Sequence, residues 1–63
     1  MIGFVVPEIE SAVAALEANG VTFNRYAGFN QDSRGIWTSR DGSARVAWFN
    51  DPDGNVLSVT QFG

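Results

Sequence analysis

The chain has 63 residues, no Cys and no His, and a net charge of −3 in which all four cationic residues are Arg. That composition rules out a disulfide or a Cys-based metal staple and argues against a nucleic-acid groove, which needs a basic stripe to neutralise phosphates. No apolar run approaches the ~20 residues that cross a bilayer, and the amino end has no charged region followed by a long apolar core; a soluble, cytoplasmic protein is the expectation.

A chain of this size forms one small domain, residues 1–63, near the lower limit for an unaided hydrophobic core. Its eight aromatics (five Phe, two Trp and one Tyr) carry much of the apolar area available for burial.

Met1 to Val6 is a short apolar run with β-branched residues, which predicts a strand. Ile2, Phe4 and Val6 take one side of it, and Met1, Gly3 and Val5 the other. Pro7 ends the strand and suits the start of a helix. From Ile9, apolar residues recur at i, i+4 and i+7 (Ile9, Val13, Leu16) with Ala12 on the same side, which predicts a helix running to Gly20 with one buried stripe. Glu8 and Glu10 place negative charge at its positive end, and Asn19-Gly20 is a stop signal, Gly20 being suited to the left-handed residue after the cap.

Val21 to Tyr26 reads as a second strand. From Ala27 to Arg40 the periodicity fades: Gly28, Asn30, Gln31, Asp32, Ser33 and Gly35 form loops, whereas Phe29, Ile36 and Trp37 do not. A loop this long with large apolar residues is either packed down or functional. Asp41-Gly42 is a turn. Ala44 to Phe49 reads as a third strand, with Ala44, Val46 and Trp48 opposed to Arg45, Ala47 and Phe49. Val56 to Phe62 reads as a fourth, with Leu57 and Val59 opposed to Val56, Ser58 and Thr60.

The last two strands are joined by Asp51-Pro52-Asp53-Gly54-Asn55. Pro52 sets the φ needed at the second position of a type I turn, Asp51 can accept hydrogen bonds from the turn amides, and Gly54 supplies a positive φ. The elements add up to an α+β fold: one βαβββ module with a mainly antiparallel four-stranded sheet and one helix on one face. The other face is left wet or covered by a partner, and a partner is the expectation.

The string Phe49-Asn50-Asp51-Pro52-Asp53-Gly54-Asn55, followed by alternating apolar residues, resembles the last hairpin of the vicinal oxygen chelate superfamily, which includes glyoxalase I, bleomycin-resistance proteins and extradiol dioxygenases. Ile2 to Val6 resembles that family's first strand, Ile9 to Gly20 its helix, and Gly20 to Phe23 the start of its second strand. The resemblance covers essentially the whole chain and matches one C-terminal-type βαβββ module, about half of the usual domain.

The resemblance implies two modules pairing side by side into a cup, with a divalent metal held by His, Glu or Gln from the first and last strands. It puts Met1 where a first-strand His would stand and Ser58, three residues past Asn55, where the last-strand Glu would stand. A thioether is too soft and a neutral hydroxyl too weak for the ions this chemistry uses. This module therefore supplies no recognisable metal ligand, and a divalent metal enters only through a partner module. Asp51 and Asp53 do not replace the site, because their loop lacks the further ligands and distal Glu of a calcium loop. No nucleophile–base pair is available without His, Cys or Lys, and the glycines do not form a phosphate cradle.

What remains is a binding surface. Ser58 and Thr60 share with Val56 the strand face that the family turns into its cup, and Met1, Gly3 and Val5 are candidates for the same face. Arg45 is a candidate donor for a carboxylate or oxyanion there, its plainer reading being an exposed strand residue. Trp37 is a candidate lid, its plainer reading being cover for the core. The favoured function is a glyoxalase/bleomycin-resistance/dioxygenase-like module without its own metal site, which pairs as a homodimer or with a second module to bind a small apolar or aromatic molecule. Alternatives are the C-terminal half of a metal-dependent lyase, isomerase or dioxygenase whose ligands lie in a module upstream of Met1, and a self-assembling module with no ligand. Enzyme activity is left open.

Overall fold

The computed structural model describes residues 2–63, in which β1 (Ile2–Val5), α1 (Ile9–Ala18), β2 (Trp37–Thr38), β3 (Ala44–Asn50) and β4 (Val56–Phe62) follow in βαβββ order. The strands form a single mixed sheet, ordered β1-β4-β3-β2. β4 is antiparallel to β3 and β3 to β2, while β1, arriving after the crossover through α1, lies parallel to β4. This is the α+β architecture that the periodicities predict.

Helix α1 forms where the apolar stripe starts. Ile9 and Val13 are fully buried, with Ala12 and Leu16 half-buried beside them. Glu8 makes no side-chain cap. Instead Gln61, reaching across from β4, accepts the first free amide of the helix: Ile9 N–H donates to Gln61 Oε1 at 2.9 Å. At the other end Gly20 takes φ 88°. Its N–H donates to the Glu17 carbonyl at 3.0 Å and the Val21 N–H to the Leu16 carbonyl at 3.1 Å, the paired bonds of a Schellman motif. Val21 and Leu16 both pack against the core, which is the hydrophobic contact that accompanies this ending.

Register sorts the strand residues between two faces. Ala47 lies between Val59 and the β2 side, Phe49 opposite Leu57, and Arg45 opposite Gln61. Ala47, Phe49 and Val59 join Ile9, Val13, Phe23 and Ile36 in one buried cluster, so this is the face the helix covers. Phe23 meets Phe49 edge-on, with ring centroids 5.5 Å apart.

The expected second strand, Val21 to Tyr26, does not form. That segment contributes a single bridge, Phe23 to Phe49, supported by Asn24 N–H donating to the Trp48 carbonyl at 2.7 Å. The strand that pairs with β3 is Trp37–Thr38, inside the stretch expected to be loop. The physical reason is Gln31. Its side chain accepts from the Tyr26 N–H at 2.8 Å and donates to the Asn24 carbonyl at 2.9 Å, so it satisfies backbone groups that a ladder would otherwise have paired. Among the described residues no helix is long and apolar enough to cross a membrane.

Candidate functional site

The face of the sheet opposite α1 carries most of the candidate residues. Two rows of cross-strand partners run over it. Trp37 lies beside Val46, Val46 beside Thr60, and Thr60 beside Val5. In the next row Trp48 lies beside Ser58, and Ser58 beside Gly3. Trp37, Ser58 and Thr60 are thus brought together on one surface, and the strands place no charged side chain on it.

Arg45 is not among them. Its row is Thr38–Arg45–Gln61, on the helix-covered face, and its guanidinium meets Glu10 Oε2 at 3.2 Å. Strand alternation leaves no other choice: Ala47 and Phe49 face the helix, and Arg45 shares their side.

Trp37 belongs to β2 and stands in an aromatic cluster. Its ring centroid is 6.4 Å from that of Trp48 and 6.3 Å from that of Phe29. Phe29 lies 5.5 Å from Trp48, and Tyr26 5.6 Å from both Phe29 and Trp48. The loop that carries Tyr26 and Phe29 is firmly tied. Besides its bonds to Tyr26 and Asn24, Gln31 donates to the Gly35 carbonyl at 2.8 Å. Asp32 accepts the N–H groups of Arg34 at 2.8 Å and Ile36 at 3.0 Å, and Arg25 donates to its carbonyl at 2.6 Å. Trp37 itself lies in a strand, and the loop packed beside it is held by these hydrogen bonds. The sequence marks Phe29 as a large apolar residue in a loop and Trp48 as an alternating strand residue, but it gives Tyr26, Phe29 and Trp48 no site role because their convergence is non-local.

Ser58 is buried even though its face carries no helix. Gly3 lies over it, and a Cβ at Gly3 would come within 3.1 Å of Ser58 Oγ. Glycine on β1 therefore leaves room for the hydroxyl. Thr60, next on the same face, is half-buried.

No group of three or more His, Cys, Asp or Glu side chains that could hold a metal ion occurs among the described residues. The loop carboxylates have other work. Asp51 is held below its ordinary pKa by the side-chain amide and backbone N–H of Asn55, and Asp41 is lowered from 3.8 to about 2 by the backbone N–H and hydroxyl of Ser43 and by the Ser39 hydroxyl. The position matched to a first-strand ligand, Met1, lies outside the described residues.

Two shallow grooves flank this surface. One, of about 550 Å³, runs along Ile2, Asp51 and the segment from Gly54 to Leu57. The other, of about 420 Å³, is lined by Gly28, Asn30, Trp37, Thr38 and Arg40. Val5 (71% exposed) and Phe62 (66%) on this same face, and Ile2 (59%) and Phe4 (50%) on the other side of β1, leave apolar surface in water, the signature of an interface whose partner is not identified.

No protein-family model matches the chain, and neither does any curated protein or solved structure.

Proposed function

We propose that this chain is a metal-free half-module of the vicinal oxygen chelate type, which pairs with a second module, in the simplest case its own copy, to enclose a small apolar or aromatic molecule. The observation that carries this reading is the uncharged sheet face on which Trp37, Trp48, Ser58 and Thr60 converge. Two features support it. The βαβββ order is that of the module the Asp51–Asn55 hairpin resembles, and apolar side chains along β1 and at Phe62 call for a covering partner. Ser58 occupies the position from which a carboxylate would reach a metal, so ligand recognition here rests on apolar contact, aromatic faces and two hydroxyls.

Sedimentation with and without added zinc or nickel, combined with fluorescence titration of Trp37 and Trp48 by aromatic ligands, tests the reading. A dimer indifferent to metal, whose tryptophan emission saturates with ligand, is the expected result. A stable folded monomer at micromolar concentration, or tight metal binding by this chain, would sink it.

A further inference from the structure

We propose that the groove beside Trp37 is a separate site for a planar aromatic carboxylate, with Arg40 binding the anion and the Trp37 ring providing the stacking surface. The groove lies at the β2 edge of the sheet and shares only Trp37 with the rows that carry Ser58 and Thr60. What sets it apart from the enclosed face is the rest of its lining, Gly28, Asn30, Thr38 and Arg40.

The charge argument starts from how the arginines are used. Arg25 donates to the Asp32 carbonyl, Arg34 to the Glu10 carbonyl at 3.3 Å, and Arg45 to the Glu10 carboxylate. Among the described residues, Arg40 alone of the four has neither a hydrogen bond nor an ion pair, and it is exposed. The carboxylate beside it in sequence, Asp41, makes no ion pair with it and uses Oδ1 to accept from Ser39 and Ser43. Arg40 thus offers a planar fork of donors, in a chain of net charge −3, to an anion from outside.

The shape argument concerns the ring. Phe29 and Trp48, packed against each other, both contact Trp37 and help to set its orientation before a ligand arrives. Asn30, exposed on the rim, adds an amide that can donate or accept. Gly28 takes φ 85°, and a Cβ there would meet nothing within 4 Å, so the rim is open. A volume of about 420 Å³ falls in the size class of small-molecule sites. A single guanidinium beside an aromatic face matches a monovalent ring carboxylate better than a polyphosphate, which needs several cations.

The test is an NMR titration of the full chain with benzoate, benzamide and acetate, following the Trp37 indole N–H. Benzoate is expected to act at about five-fold lower concentration than benzamide, which keeps the ring without the charge, and than acetate, which keeps the charge without the ring. R40Q is expected to remove the benzoate–benzamide difference, and R40K to retain part of it. Arg40 is exposed in a turn, so an unchanged near-ultraviolet dichroism spectrum will show that both variants fold. Equal responses to benzoate and benzamide, equal responses to benzoate and acetate, or a preference that survives R40Q would each overturn the proposal. So would shifts centred on Ser58 and Thr60 rather than on Trp37, an outcome that leaves the paired-module reading standing.

Discussion

Asp51 and Asn55 hold each other at three points across the turn between β3 and β4. The Asp51 carboxylate accepts the Asn55 backbone N–H at 2.8 Å and its side-chain amide at 3.0 Å, while the Asn55 carbonyl accepts the Asp51 N–H at 2.9 Å. The same carboxylate takes the Asp53 N–H at 2.9 Å, and Gly54, at φ 87°, donates to the Asp51 carbonyl at 3.0 Å. The turn thus uses both Asp51 carboxylate oxygens and the amides of Asp53, Gly54 and Asn55.

A pH dependence follows. Asp41 and Asp51 both have folded pKa values below their ordinary ones, Asp41 falling from 3.8 to about 2. A group depressed in this way contributes its stability above the unfolded pKa and loses it as pH falls through the folded one. For Asp41 the contribution is complete above about pH 4 and declines from there to about pH 2, and Asp51 acts in the same direction. Because Asp41 is exposed and Asp51 only half-buried, solvent screens the effect and keeps it modest. Denaturant midpoints at stepped pH are expected to fall more steeply over this window in the wild type than in the Asp41→Asn, Asp51→Asn double variant. Parallel curves would refute the assignment.

Gln31 is the second keystone of the loop region. Its half-buried side chain bonds to the Tyr26 N–H and to the Asn24 and Gly35 carbonyls. Gln31→Leu keeps the bulk but strands those backbone groups, at a cost of about 1–3 kcal/mol for each that stays shielded from water. The expected readout is loss of near-ultraviolet dichroism from the Tyr26–Phe29–Trp37–Trp48 cluster together with faster amide exchange over residues 24–36, while α1 keeps its protection. Uniform loss of protection over the chain would show that the loop is not a separate unit.

These two side chains mark the limits of what could be read locally. The helix, its Gly20 ending and the Asp51–Asn55 turn declare themselves because each depends on residues within a few positions of one another. The β2 strand is two residues long and lies between β3 and a bridge to Gln31, whose side chain ties back seven residues to Asn24, contacts that no periodicity registers. Alternation along β3 was legible, but not which side the helix would cover. Once Ala47 and Phe49 face α1, Arg45 goes with them and leaves the candidate surface. Trp37 and Trp48 meet only because β2 and β3 pair.

Arg45 and Glu10 are 3.2 Å apart, with side chains 27% and 59% exposed. A pair this wet contributes about 0–1 kcal/mol, and salt weakens it. A double-mutant cycle with Arg45→Gln and Glu10→Gln is expected to give a coupling energy within that range that shrinks in 1 M NaCl. A coupling well above it, insensitive to salt, would mean that Arg45 does more than close the gap between β3 and the helix.

Gly35 and Gly42 share a positive φ, 88° and 77°, but differ in surroundings. A Cβ at Gly42 meets nothing within 4 Å, so Gly42→Ala bears only the left-handed backbone penalty of about 1 kcal/mol. At Gly35 the new atom would lie 3.3 Å from Phe23 Cβ and 3.6 Å from the Asn24 carbonyl oxygen. Phe23 is wedged edge-on against Phe49 in the buried cluster and has little freedom to retreat. Gly35→Ala therefore adds an overpacking cost of about 1–3 kcal/mol to the backbone penalty. For a 63-residue domain, whose whole stability is on the order of 3–9 kcal/mol, that is a large share. Thermal melts are expected to rank wild type above Gly42→Ala, and Gly42→Ala above Gly35→Ala. Truncating the obstructing ring in Phe23→Leu would not rescue Gly35→Ala, because the clash is with the Phe23 Cβ, which leucine keeps. A rescue by that second substitution would instead place the conflict further out along the side chain.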